Sequence, residues 1–159
     1  MIREITRPDF ASFWPTFSAI IKAEETYALD PDMTQQEAFS LWCESTLEAY
    51  ALVENDVVLG IYYLKSNGMG PSRHICNCGY MVANEARGRG IARLLYEHSQ
   101  ERAIAFGFQA MQFNSVVSTN EVAVTLWQKL GFSIVGTIPR AYKHSQLGLV
   151  DSYVMYKWL

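Results

Sequence analysis

The sequence predicts an α/β fold: a mixed central β-sheet flanked by helices. Three observations carry that prediction. Segments with two-residue apolar alternation are interleaved with segments of 3.6-residue period, in the order β-α-α-β-β-β-α-β-α-β-β. A single central helix separates two strands, the spacing of a crossover connection. The 159 residues are 50% apolar and 18% charged, as in an ordinary globule. That length suits one domain over residues 1–159, in which about 68–70% of the unfolded surface can be buried. No repeat, low-complexity tract or linker-like shift in composition divides the chain.

Each element has a local cause. Met1–Thr6 reads as a short strand. Pro8-Asp9 starts a helix to about Ala23, with Phe10, Phe13, Trp14, Phe17, Ile20 and Ile21 on its apolar face. Pro15 is expected to weaken or split it, because proline lacks the N–H that an interior turn uses. After an Ala28–Met33 loop, Thr34-Gln35-Gln36-Glu37 forms a capping box, opening a second helix to about Ala49. Tyr50–Glu54 and Val57–Lys65 are strands joined at Asn55-Asp56, a hairpin signal. The Gly/Pro loop Ser66–Ser72 leads to strand His74–Val82, and the central helix runs Gly90–Ala105. Strand Gln109–Val116 precedes helix Thr119–Leu130, which Gly131 ends as a C-cap. Strands Ser133–Pro139 and Asp151–Trp158 close the chain, with a polar loop between them.

Composition removes several function classes. A formal net charge of −3 disfavours general nucleic-acid binding, which needs a basic face. No apolar run reaches the roughly 20 residues that span a bilayer, and Met1-Ile2-Arg3-Glu4-Ile5 lacks the pattern of a signal peptide. Three cysteines, an odd number without a disulfide framework, fit a reducing cytoplasm. His74, Cys76 and Cys78 alternate onto one strand face; they read as buried packing rather than a metal site, and no metal is expected.

The most informative stretch is Arg87-Gly88-Arg89-Gly90-Ile91-Ala92-Arg93, which follows a strand and opens a helix. Glycines allow close backbone approach, and a helix start presents unpaired N–H donors with a partial positive charge. Together these make a seat for a diphosphate. The P-loop string G-x-x-x-x-G-K-[ST] is absent, and a dinucleotide fingerprint would need Gly or Ala where Arg93 stands. A mere tight turn with solvated arginines is the structural alternative.

Arg87-x-x-Gly90-x-Ala92 resembles the [Q/R]-x-x-G-x-[G/A] signature of the GNAT superfamily of N-acetyltransferases. The resemblance extends over nearly the whole chain. Tyr80-Met81-Val82 resembles the strand before the loop, and Asn120-x-x-Ala123-x-x-Leu126-Trp127-x-Lys129-Leu130-Gly131-Phe132 resembles the following helix. Gly136-Thr137-Ile138-Pro139 and Asp151–Leu159 resemble the C-terminal hairpin. It implies the acyl-CoA N-acyltransferase fold, with acetyl-CoA as co-substrate. The backbone N–H groups of Arg87, Gly88, Arg89, Gly90, Ile91, Ala92 and Arg93 would hold the pyrophosphate. Strands His74–Val82 and Gln109–Val116 would splay, and the pantetheine arm would pair with the backbone of Met81 and Val82 like an added strand. The resemblance puts Val82 where the N–H after a strand bulge polarises the thioester carbonyl. Asn120 matches an asparagine that contacts the pantetheine arm; as an alternative it belongs to a helix cap.

Acetyl transfer needs a deprotonated amine, a stabilised oxyanion and a leaving sulfur, with proximity supplying much of the acceleration. No enzyme nucleophile is required, so Cys43, Cys76 and Cys78 carry no such role. Two departures from the family matter. Trp127 stands where many members have a tyrosine acid, and an indole N–H only donates. Either the thiolate leaves with hydrogen-bond help alone, or another tyrosine serves, with Tyr142 and Tyr153 as the candidates. His74–Val82 also lacks the strand glutamate that some members use as a base; it carries Asn77, and Gln109–Val116 carries Asn114. Both amides are expected to face the acceptor, as catalytic positioning and substrate-binding groups, or else to be satisfied structurally. Glu25 and Tyr27, in the Glu24–Tyr27 segment, border the acceptor site in this fold. Glu25 would attract a cationic amine or accept its proton, with a solvated helix end as the alternative. His144 belongs to the late polar loop, and His98 sits at an exposed helix position with no role.

Glu24–Tyr27, the paired asparagines and Leu126-Trp127 look closest to a subgroup acetylating small amino or imino acids. The resemblance therefore implies a small-molecule amine acceptor. Protein N-terminal or lysine acetylation, and a non-catalytic acyl-CoA sensor or interaction module, remain open. The apolar end Tyr153–Leu159 is expected to pair with a second subunit as a homodimer.

Overall fold

The computed structural model describes all residues from Met1 to Leu159. After the short strand β1 (Ile2–Glu4), Thr6 caps α1 (Arg7–Ala23) in a reciprocal box with Asp9. Pro15 does not split α1, which runs unbroken through it. Phe10, Phe13, Phe17 and Ile21 are buried along one face, while Pro15 and Ala11 are exposed, so water can serve the carbonyl that the missing N–H leaves free.

Asp9 also accepts two hydrogen bonds from Arg3, at 2.6 and 2.9 Å. The Arg3 guanidinium, aided by Thr6, holds the Asp9 carboxyl down at about 2. A depressed folded-state value adds stability above the ordinary carboxylate range, and that stability disappears as pH falls through about 2. Asp9→Asn is therefore expected to lower stability at pH 7 and to lose less between pH 4 and 2 than the wild type. Parallel denaturant melts across that range check it; equal acid sensitivity would show that the pair contributes nothing.

The second capping box, Thr34 with Glu37, opens α2 (Gln35–Phe39). The helix does not continue to Ala49. It passes into a π-helical turn, Ser40–Glu44, and the chain enters β2 (Glu48–Glu54). Pairing of Glu48 and Ala49 with Leu64 and Tyr63 of β3 (Val57–Ser66) claims residues whose apolar pattern alone suits either structure. Asn55 and Asp56, both at positive φ, turn the β2–β3 hairpin.

The remaining elements are β4 (Ile75–Val82), α3 (Ile91–Ala105), β5 (Ala110–Val117), α4 (Glu121–Lys129), β6 (Ser133–His144) and β7 (Gly148–Trp158). One mixed sheet has the order β1-β2-β3-β4-β5-β7-β6. Only β4 and β5 are parallel, through the α3 crossover. Adjacent residues of β3 show the layering. Tyr63 meets Trp42 of the π turn at 4.8 Å, whereas Tyr62 hydrogen-bonds His98 of α3, so the two helical layers cover opposite faces.

Three further expectations are corrected. Residues 140–147 are not a free loop: β6 and β7 extend as a ribbon with a turn at Ser145–Leu147. Most of β6 is exposed, so ladder bonds form without the alternation that marks a half-buried strand. His144 ends β6, and its Nδ1 accepts the turn amides of Gln146 and Leu147. The terminal strand offers no edge to a second subunit, because β7 lies between β5 and β6. His98 is half-buried: Nδ1 lies 2.8 Å from the Tyr62 hydroxyl, and burial lowers its pKa. His74 precedes β4 and contacts the Pro71 carbonyl, while Cys76 and Cys78 are buried. No helix is long and apolar enough to cross a membrane.

Candidate active site

Parallel pairing of β4 and β5 stops after Ile75–Ala110 and Cys76–Met111. Beyond that point the strands part. The β3–β4 register continues without a shift from Ser66–Cys76 to Gly60–Val82, so β4 carries no bulge there and the divergence alone opens the gap. β5 instead shifts register against β7 between Phe113 and Val116, which re-aims Asn114 and Ser115.

Backbone alternation decides which β4 groups enter the gap. The Ile75 carbonyl accepts from Asn67 N, and the Ala83 amide donates to Leu59 O, both toward β3. Odd-numbered β4 residues therefore bond β3, while the backbone of Cys78, Tyr80 and Val82 faces the gap. Met81 is thereby corrected as a backbone partner: its polar groups turn to β3, and its side chain is buried.

The gap widens into a cavity of about 320 Å³. Tyr27, Leu29 and Trp42 wall it on the α1–α2 side, and Asn120, Ala123 and Trp127 on the α4 side. Trp127 is buried against Tyr80 and Phe113 at 5.1 and 4.8 Å. Gly79 permits the Tyr63 ring to lie on β4, since an added Cβ would sit 2.5 Å from that ring. The Tyr27 hydroxyl donates to the Tyr80 carbonyl inside the gap. The Tyr142 hydroxyl donates to the Tyr27 carbonyl at 3.1 Å, and the Ser145 amide to the Glu24 carbonyl at 3.0 Å. The β6–β7 turn thus clasps the segment that covers the cavity.

The asparagines occupy different positions. Asn77 is buried; its Oδ1 accepts from the Tyr63 hydroxyl at 3.0 Å, and its Nδ2 donates to the Gln112 carbonyl at 2.9 Å across the seam. Exposed Asn114 accepts from Gln112 Nε2 and donates to Asn67 Oδ1. Asn120 is the N-cap of α4, accepting the Ala123 amide at 3.3 Å, and it also lines the cavity. Glu25 is exposed and does not line the cavity. Neither do Tyr142 and Tyr153; the lining tyrosines are Tyr27, Tyr63 and Tyr80. Burial raises all three phenols, Tyr63 to about 12. It also raises the Cys43 thiol to about 12 and the Cys78 thiol well above its usual value, so neither is a ready thiolate.

At the end of β4 the chain turns through Asn84–Ala86 into the glycine loop. The Arg87 amide is used by Asn84 O at 3.2 Å, which removes it from the expected donor set. The amides of Gly88 through Arg93 have no partner in the chain, and Leu94 N begins the helical ladder by bonding Gly90 O. Gly88 and Gly90 both have φ of 75°. The side chains of Arg89 and Arg93 pair with Glu54 and Glu97 at the surface.

Sequence reading missed Lys65, Tyr63 and Trp42 as lining residues. The available signal was a charge inside an otherwise apolar strand: Lys65 follows Tyr63 by two positions, which puts both on the same face.

Comparison with known proteins accords with this geometry. Residues 2–132 match the model of the acetyltransferase (GNAT) family. An N-acetyltransferase of Schizosaccharomyces pombe, aca1, is 30% identical over 151 residues, covering 84% of this chain and 72% of that protein. The structure of a GCN5-related N-acetyltransferase from Kribbella flavida is 40% identical with a TM-score of 0.94, covering 100% of this chain and 97% of that one. A GNAT superfamily phosphinothricin acetyltransferase from Sinorhizobium meliloti, solved in complex with AcCoA, shares the fold at 21% identity and a TM-score of 0.85, covering 100% and 88% of the two chains. The splayed strands, the open glycine loop and these matches agree: the chain belongs to the acetyltransferase (GNAT) family.

Proposed function

We propose that the protein is a single-domain enzyme over residues 1–159 that moves an acetyl group from acetyl-CoA directly to the amine of a small, amino-acid-like acceptor. The observation that carries this reading is the gap between β4 and β5, which begins beyond Cys76–Met111, is bridged by the Tyr27 hydroxyl at the Tyr80 carbonyl, and ends where β4 leads into the glycine loop. The unpartnered amides of Gly88–Arg93 fit the diphosphate of acetyl-CoA, and the space beside both glycines leaves room for its approach. When bound there, the thioester supplies the activated acetyl group.

The chain's own groups do the rest. The Val82 amide faces the gap and is the donor available to a polarised carbonyl oxygen. Asn77 and Asn114 orient the acceptor, as neither amide is a base. No carboxylate lines the cavity, so the amine proton leaves through water as the C–N bond forms, and the C–S bond breaks with coenzyme A departing as its thiolate, which takes its proton from solvent. Trp127 and Phe113 exclude solvent from the α4 side. The clasp on Glu24–Tyr27 favours a small acceptor over a peptide, which needs an open groove.

Thiol release from acetyl-CoA with a panel of amines tests the reading. Free small amino acids are expected to accelerate release at least about 10-fold more than peptides of matching sequence, on the scale of contacts that a closed pocket gains or loses. Preference for peptides would move the acceptor to protein. Tight acetyl-CoA binding with no accelerated release by any amine would make the chain a sensor.

A further inference from the structure

Tyr27 belongs to residues 24–34, which form neither helix nor strand between α1 and α2. It is held at two points. Its carbonyl accepts from the Tyr142 hydroxyl at 3.1 Å, next to the bond from the Ser145 amide to the Glu24 carbonyl. Its own hydroxyl enters the gap and donates to the Tyr80 carbonyl.

The place of that hydroxyl is the telling feature. Along the gap edge of β4, Cys78, Tyr80 and Val82 each present an N–H and a C=O in turn. The Tyr80 carbonyl and the Val82 amide are therefore neighbours on that edge. A ligand that lies there like an added strand accepts from the one and donates to the other. A carbonyl oxygen has two lone pairs, but this one is approached from inside the gap, where the arm of the ligand must itself lie. Tyr27 thus stands in for the N–H that the ligand would bring.

We propose that Tyr27 is a plug: its phenol occupies the Tyr80 carbonyl, the β6–β7 turn keeps it seated, and the pantetheine arm of acetyl-CoA expels it in order to pair with β4. This rests on the reading that acetyl-CoA lies in the gap, and adds to it a closed form with which the arm competes. Thr26, Tyr27, Ala28 and Leu29 also wall the cavity. Expelling the phenol therefore reshapes the acceptor's side of the site when the acetyl donor arrives, so one side chain couples the two halves.

The test measures binding to the full chain by titration calorimetry. Apparent affinity is the intrinsic affinity scaled by the fraction of molecules in the open form, so weakening the closed form tightens binding. Tyr27→Phe should bind acetyl-CoA about 3- to 10-fold more tightly than the wild type, the range of a single hydrogen bond. ADP, which offers the glycine loop a diphosphate and has no arm, should bind both proteins within about 2-fold, since it does not compete with the plug. Tyr142→Phe, altered outside the cavity, should tighten acetyl-CoA by about 2- to 3-fold, and the double variant should gain no more than Tyr27→Phe alone, because both loosen one closed form. A phenol that merely packs, or that contacts the ligand directly, predicts the opposite sign. Unchanged or weaker acetyl-CoA binding in Tyr27→Phe overturns the plug and leaves the gap as the acetyl-CoA site. An equal gain for ADP overturns it too, because the change would then lie in the loop. If Tyr27→Phe does not fold, Tyr142→Phe decides alone by the same criteria. If the wild type and both variants bind acetyl-CoA no more tightly than ADP, the arm does not enter the gap, and the underlying reading falls together with the plug.

Discussion

Gly90→Glu should abolish acetyl-CoA binding, weakening it by at least about 100-fold. Gly90 is the N-cap of α3 at φ 75°, and no protein atom lies within 4 Å of the place a Cβ would take. The substitution therefore meets no clash inside the protein. It adds a left-handed backbone cost of about 1–2 kcal/mol. Its larger effect is a carboxylate among the free amides of Gly88–Arg93, where it competes for the same donors and repels a diphosphate. Titration calorimetry reads the affinity, and a thermal melt reads the fold, which should survive. Gly90→Asn serves as the comparison, since asparagine tolerates the left-handed region without adding charge. Unchanged affinity in Gly90→Glu would remove the loop as the diphosphate seat.

Trp42→Ala should be the most damaging single truncation near the cavity. Trp42 is 2% exposed in the middle of the π turn. It meets Phe17 of α1 edge-on at 5.4 Å and Tyr63 of β3 at 4.8 Å, and Tyr63 in turn holds Asn77. Removing the indole leaves a void between helix and sheet and costs about 3–5 kcal/mol. For a chain of this size that lowers the midpoint of thermal unfolding on the order of 10 °C. The same change frees Tyr63, so KM for the acceptor should rise several-fold even at temperatures where the variant is folded. A variant with wild-type stability would mean that the aromatic chain relaxes into the gap. One with wild-type KM would detach Trp42 from the acceptor pocket.

What could be read in advance follows from how local each cause is. Pro8-Asp9, Thr34 with Glu37, Asn55-Asp56, and the glycines of the loop act within a few residues, and the structure has the elements they signal. The end of α2 was not legible, because Leu41 to Tyr50 is apolar enough for helix or strand and β3 decides. The β6–β7 ribbon escaped for the opposite reason, having no buried face to impose alternation. At the site, the loop was readable and the cavity wall was not. Lys65 joins that wall through its register opposite Asn77, and strand register depends on the whole sheet. Glu25 shows the reverse: its place in a recognised segment said nothing about where its side chain would point, and it is exposed.

The two-residue parallel contact between β4 and β5 has a thermodynamic side. The middle of the sheet is its least stitched seam, so a ligand laid along the gap finishes the hydrogen-bonded ladder that folding leaves incomplete. Binding and folding are then linked: ligand at 100 times its dissociation constant adds about 2.7 kcal/mol of stability. That gain should be concentrated at the seam. Amide hydrogen exchange at Val82 and along the outer half of β5 should slow on adding acetyl-CoA, while β2 and β3, already paired on both sides, should barely change.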